Sequence, residues 1–194
     1  MRSIVVSSIA LVAFAAAGSV QGARAADNYT VDPVHTCVYF KIQHLGISSI
    51  FGRFNAVKGT FTLDKDEPRN SSFTVTIPIK SVDTNNKDRD KHLLSPTFFN
   101  EKQFPLLKFQ STSVKAAKGG YKVVGKLTLH GVTKPITFTL QGGKEVSFQG
   151  VKHIGFTTEL TLKRTDFGMT KMLPALGDRV TIAIGLEGTK GKGK

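Results

Sequence analysis

From about residue 34 onward the chain alternates apolar and polar residues with a period of two, in about eight separate runs. That period is the mark of β-strands with one face buried, because successive side chains point to opposite sides of a strand. Val34, Thr36, Val38, Phe40 and Ile42 share one parity. So do Val57, Gly59, Phe61 and Leu63, then Phe73, Val75, Ile77 and Ile79, then Leu107, Phe109 and Ser111. The second half repeats the habit in Val123 to Leu129, Ile136 to Leu140, Phe156 to Leu162 and Val180 to Leu186.

Turn signals separate the runs: Asp64–Asn70, Lys118-Gly119-Gly120, His130-Gly131 and Gly142-Gly143. Connections this short join antiparallel neighbours, since a parallel crossover needs a dozen or more residues. One stretch breaks the pattern. Residues 84–104 are polar and helical in character from Asn85 to Leu94, until Pro96 stops or restarts the turn. Phe98 and Phe99 are placed to pack back on the sheet. The fold class is therefore all-β, an antiparallel β-barrel of about eight strands with a short helical insertion, because twisted sheets of that size close on themselves.

A barrel of this size has room for packed side chains or for one small ligand. The inward parity is rich in Phe, of which the chain has 14 against no Trp, and poor in polar residues beyond Thr36, Ser111 and Thr158. Such an interior suits neither a sugar nor a nucleotide. The pattern alone favours an ordinary packed core over a ligand cavity, because most apolar faces are only core.

The first 25 residues predict export. Arg2 precedes an uncharged run from Ile4 to Val20, and Ala23-Arg24-Ala25 offers the small residues of a cleavage site. The mature chain is expected to be one domain, residues 26–194. The net charge of +13 is spread along the sequence. Together with export, this argues against nucleic acid and leaves anionic lipid head groups as contacts. Cys37 is the single cysteine, so no intramolecular disulfide is available.

Catalytic signals are weak. There is no G-x-S-x-G elbow, phosphate-cradling glycine loop or H-E-x-x-H motif. His35, His44, His92, His130 and His153 do not pair at metal-ligand spacing. Neither a metal nor another cofactor is expected. His35 or His44 with an Arg164–Asp166 pair would be the residues of an enzyme, a lipid-modifying one. Asp83, Arg89, Asp90 and His92 read as an ion-pair cluster anchoring the helical insertion. Phe167 to Leu176, with Met169 and Met172, reads as an apolar loop.

Particular residues resemble the YceI-like family. The opening Tyr29-Thr30-Val31-Asp32-Pro33-Val34-His35-Thr36 is followed in order by His44-Leu45-Gly46, Gly52-Arg53-Phe54, Ser81-Val82-Asp83-Thr84, Arg89-Asp90-Lys91-His92-Leu93, Phe98-Phe99 and Phe104-Pro105. Then come Phe109-Gln110-Ser111-Thr112, the run from Gly125 to Pro135, and Arg164-Thr165-Asp166-Phe167-Gly168-Met169. Thr97 and Asn100 depart from it, standing where the family usually has an acidic residue.

The resemblance implies a lipocalin-like barrel in the periplasm, with a long tunnel that binds polyisoprenoid chains such as quinone tails. The tunnel wall would then be Phe40, Ile42, Phe54, Phe61, Phe73, Val75, Ile77, Phe98, Phe109, Leu127, Leu129, Phe138, Phe156, Leu160, Ile182 and Ile184, with Met169 and Met172 at a mouth. Carrier, store or scavenger are the expected roles. Broad capture of lipophilic toxins or antibiotics is the alternative, and a lipid-modifying enzyme a further one. Transient contact with a membrane surface and a homodimer are the other partners considered.

Overall fold

The structure, a computed structural model, describes residues 26–190. The predicted signal segment, 1–25, lies outside the described residues, as do 191–194.

Eleven strands form one sheet: β1 (Asp27–Val31), β2 (Cys37–His44), β3 (Ser48–Phe54), β4 (Lys58–Leu63), β5 (Ser72–Pro78), β6 (Val82–Asp83), β7 (Leu106–Ala117), β8 (Gly120–Leu129), β9 (Val132–Phe148), β10 (Val151–Lys163) and β11 (Leu176–Lys190). Every pairing is antiparallel. Eight strands close a ring in the order β1-β4-β5-β7-β8-β9-β10-β11, which returns to β1. Closure works because β11 is long enough to hold two partners on one edge. Its residues Leu176–Gly185 pair with β2, and Gly188 and Thr189 pair with β1. The ring has the predicted number of strands, eight, but β1 takes the place expected for the run from Val34 to Ile42, which as β2 extends the sheet beyond β11 with β3 and β6.

The inward parity of each run is as the alternation requires, with Val34 the exception. It is 80% exposed in the turn between β1 and β2. β1 and β3 carry no usable alternation signal of their own. In β3 the parity is masked, because Phe51 faces out at 66% exposure while Gly52 faces in. Gly52 is required there: a Cβ would lie 2.3 Å from the Phe40 ring.

Gly142-Gly143 is not a turn. β9 continues through both residues to Phe148, and the register with β10 shifts at Gly155/Phe156. The two glycines, at φ 111° and 90°, form a bulge in a conformation that other residues resist. The turn itself is Gln149-Gly150, both at positive φ, as in the His130-Gly131 turn. Asp64 does hold the predicted 64–70 turn, accepting from Asp66 N and Glu67 N.

The helical insertion is α1, Lys87–Leu94. Asn86 caps it by accepting from Arg89 N at 2.9 Å, and Asp88 and Asp90 favour its first turn. Ser95 leaves the helix in an extended conformation, as the following Pro96 demands. The expected ion-pair cluster is not what anchors it. Asp83 takes Arg53 and Asn55, while Arg89 and Asp90 converge on Thr84 through hydrogen bonds. Phe98 packs on His92 and Phe99 on Phe54, fastening the insertion to β3.

Candidate functional site: an apolar cavity

The barrel has two unlike ends. At one, Tyr29, Phe61 and Phe73 stack with ring centroids 5.0 and 5.2 Å apart. Phe156 meets Phe61 and Phe73 edge-on, each at 5.9 Å, and Tyr121 meets Phe156. Offset stacks and edges of this kind suit the ring quadrupole. Gly188 makes room for the plug: a Cβ there would stand 2.3 Å from Phe61. Tyr29 also donates to Glu145 on the extended β9–β10 hairpin.

Beyond this plug the interior is hollow, with a cavity of about 520 Å³. That lies within the roughly 300–1,000 Å³ common for small-molecule sites. Its floor includes Phe73, Thr36 and Thr158. Its walls are successive inward residues of seven strands. They include Val38, Phe40 and Ile42 of β2, Phe109 of β7, Leu127 and Leu129 of β8, Ile136 and Phe138 of β9, Leu160 and Leu162 of β10, and Ile182 and Ile184 of β11. Ile50 and Phe54 of β3, and Leu93, Phe98 and Phe99 of the insertion, cover one side. Many of these side chains are only half-buried, although they point inward. The surface they retain faces the cavity.

The cavity reaches the outside where β2, β8 and β10 end and β9 and β11 begin. Met172 lines it and is 49% exposed. Leu45, Ile47 and Leu173 are exposed close by, and Leu45 N donates to Ala175 O at 2.7 Å, which joins the β2–β3 tip to the 165–175 loop.

Arg164 organises that loop. It is 5% exposed and donates to the carbonyls of Gly177, Met169 and Leu176 at 2.9, 2.7 and 3.1 Å. Burial pulls its pKa down while Asp178 opposes the shift. It remains a cation, since an arginine loses its proton only far above neutral pH. Asp178 holds the loop's other side by accepting from Thr165 N and Thr165 Oγ1. Those bonds keep its own pKa below the usual carboxylate range. Asp166, the expected partner of Arg164, is exposed. Opposite charges close in sequence reveal neither the carbonyl cage of Arg164 nor the bonds of Asp178 to Thr165.

Of the residues expected on a tunnel wall, Phe40, Ile42, Phe54, Phe73, Val75, Ile77, Phe98, Phe109, Leu127, Leu129, Phe138, Leu160, Met169, Met172, Ile182 and Ile184 all line the cavity. Phe61 and Phe156 do not. They belong to the plug, where parity points inward but the ring is filled by its own aromatics. Val38, Ile50, Ile136 and Leu162 line the cavity without having been singled out. Their parity was the signal that could have found them, except in β3.

Of the residues named for an enzyme, His35 stands apart from Arg164, and Arg164 is bonded to loop carbonyls while Asp166 is exposed. His35 sits in the β1–β2 turn, beside Glu187, while Arg164 bonds Gly177. Ten residues of β11 separate those levels, about 30 Å at ~3.3 Å per residue. His44 does line the cavity at its open end. Asp32, His35 and Glu187 bring ligand-type atoms within 4.8 Å of one another, a grouping that sequence spacing did not show. Its first two members already bond each other, His35 Nδ1 donating to Asp32 Oδ2 at 2.8 Å, which fastens the turn.

Comparison with known proteins agrees with this architecture. Residues 29–188 match the YceI-like domain model. Protein YceI of Salmonella arizonae is 41% identical over 175 residues, covering 88% of this chain and 91% of that one. The crystal structure of the Campylobacter jejuni YCEI protein superposes with TM-score 0.67 at 30% identity, over 77% of this chain and 90% of that one. A polyisoprenoid binding domain from Saccharophagus degradans, implicated in plant cell wall breakdown, shares the fold with TM-score 0.63 at 17% identity, over 84% and 98% of the two chains. The matched span runs from Tyr29 in β1 to Gly188 in β11, so the plug, the cavity and the loop at its mouth all fall within it: the chain belongs to the YceI-like family.

Proposed function

We propose that this protein holds a long apolar lipid, a polyisoprenoid or quinone-like molecule, inside its barrel. It serves as a periplasmic carrier, store or scavenger and not as an enzyme. The cavity carries this reading: some 520 Å³ lined by Phe, Leu, Ile and Val, closed at one end by an aromatic plug. The polyisoprenoid-binding domain with the same fold supports it. The export segment predicted from the sequence supports the location.

Moving the five carbons of one isoprene unit out of water is worth roughly 4 kcal/mol at ~0.8 kcal/mol per carbon. A long prenyl chain therefore does not travel through water bare. A bilayer offers the same apolar refuge, so the net gain on entering the barrel is small and the transfer stays reversible. Leu45, Ile47, Met172 and Leu173, exposed beside the mouth, support loading from a membrane surface.

Native mass spectrometry of protein purified from its host without detergent tests the proposal. The expected result is a bound mass matching a prenyl or quinone-like lipid, lost on organic extraction and regained on incubation with the extract. Repeatedly empty protein that also fails to take up such lipids would overturn it. An unrelated lipophile that displaces the prenyl ligand would broaden the role to capture of toxins or antibiotics. Sedimentation of the purified protein tells whether the exposed apolar rim is instead covered in a homodimer.

A further inference from the structure

Thr158 Oγ1 is the one buried side-chain polar atom without a hydrogen-bond partner among the described residues. The residue is 8% exposed and lines the cavity. An orphan hydroxyl in such a place is costly, which is why nearly all buried polar groups are paired. A Val of the same shape would avoid the cost. The second threonine at this depth, Thr36, is already engaged: it donates to Glu187 O and accepts from Glu187 N.

The surroundings offer Thr158 no partner from the protein. Across the sheet it faces Ile184, which in turn faces Val38. Along its own strand the same parity holds Phe156 of the plug and Leu160. A lone water would find too few polar neighbours, since buried waters usually need two to four.

Its level in the barrel is informative. Six residues of β10 separate Thr158 from Arg164, about 20 Å at ~3.3 Å per residue. The hydroxyl therefore stands at the floor, next to the plug, and far from Arg164 and His44, which meet at Leu176 at the open end.

We propose that Thr158 is a hydrogen-bonding station for a neutral oxygen, a hydroxyl or a carbonyl, at the inner end of the bound lipid. The assignment rests on the lipid-holding reading above and deepens it. The oxygen is neutral because the immediate neighbours of Thr158, namely Phe156, Leu160 and Ile184, offer no counter-charge, and burying an unpaired ion costs far more than one hydrogen bond returns. The ligand class is thus a long prenyl or alkyl chain ending in an alcohol, ketone or quinone ring, seated with that end inward. Phosphorylated or carboxylated ends belong at the mouth.

Affinities for geranylgeraniol and for its deoxy hydrocarbon analogue, measured by competition with a fluorescent lipid on delipidated protein, test this. Wild type should prefer the alcohol by about tenfold, the size of one buried hydrogen bond. Thr158→Val should abolish the preference, and Thr158→Ser should keep it. Thr158→Val should also unfold at a higher temperature when empty. A preference that survives Thr158→Val unchanged would place the oxygen at the mouth and overturn the proposal. So would equal binding of the two probes by wild type, and either outcome leaves lipid holding intact. Binding of neither probe removes the lipid-holding reading itself, and this one with it.

Discussion

The two ends of this barrel are built from the same inward-facing alternation, yet one is solid and the other hollow. At the solid end four Phe and Tyr rings stack and meet edge-on, and a glycine stands where a side chain would collide with them. At the hollow end Phe40, Phe109 and Phe138 keep to the wall, and about 520 Å³ between the walls stays open. The contrast shows that hydrophobic inward faces determine closure of the ring without determining its filling. Filling depends on whether the rings reach one another across the axis.

The sharpest break in this contrast is a pair of truncations. Phe61→Ala removes a ring touched on every side, and should cost about 3–5 kcal/mol by urea denaturation. Phe138→Ala removes a ring that already borders empty space, and should cost about 1–2 kcal/mol. Equal costs would mean that the hollow end collapses in solution. Next, Arg164→Met leaves three loop carbonyls without their donor, and should cost about 2–3 kcal/mol. Proteolysis confined to the 165–175 loop would show that the loss is local to the mouth.

Filling the hollow end should cost little stability and much capacity. Ile182→Trp puts a large ring into the cavity, so lipid uptake should fall by at least ~tenfold with the urea midpoint nearly unchanged. The same binding assay with Leu186→Met, nearer the plug, should show a smaller loss.

The smallest effect belongs to the β1–β2 turn. The hydrogen bond from His35 to Asp32 raises the His35 pKa. A raised folded-state value stabilises the fold below the ordinary histidine pKa, and the contribution fades as pH rises through the raised value. Wild type should therefore lose slightly more stability than His35→Gln between about pH 6 and 8. Identical urea midpoints for the two proteins across that window would show that the turn is held by backbone bonds alone.

Much of this was legible in the sequence because strand parity is a local property. Alternation in eight runs was enough to assign inward faces from Thr36 to Leu186, and the polar, helical stretch from Asn85 to Leu94 with Pro96 after it was enough to locate the insertion. β3 was hidden because its outward Phe51 and inward Gly52 invert the usual signal, and the fit of Gly52 depends on a ring from another strand. The Gly142-Gly143 bulge imitated a turn because both need positive φ. The carbonyl cage around Arg164 joins residues from both sides of a loop, and no spacing rule describes it.

What the sequence by itself determined is an antiparallel β fold with an apolar inside, since side-chain alternation and short turns act between neighbours along the chain. Only the tertiary structure decided that Phe61 and Phe156 close the barrel while Phe40 and Phe138 bound a cavity, and that the Thr158 hydroxyl faces into it alone. The physical reason is that filling, pairing and emptiness are relations across the barrel axis. They exist only once β11 has closed the ring by pairing with both β1 and β2.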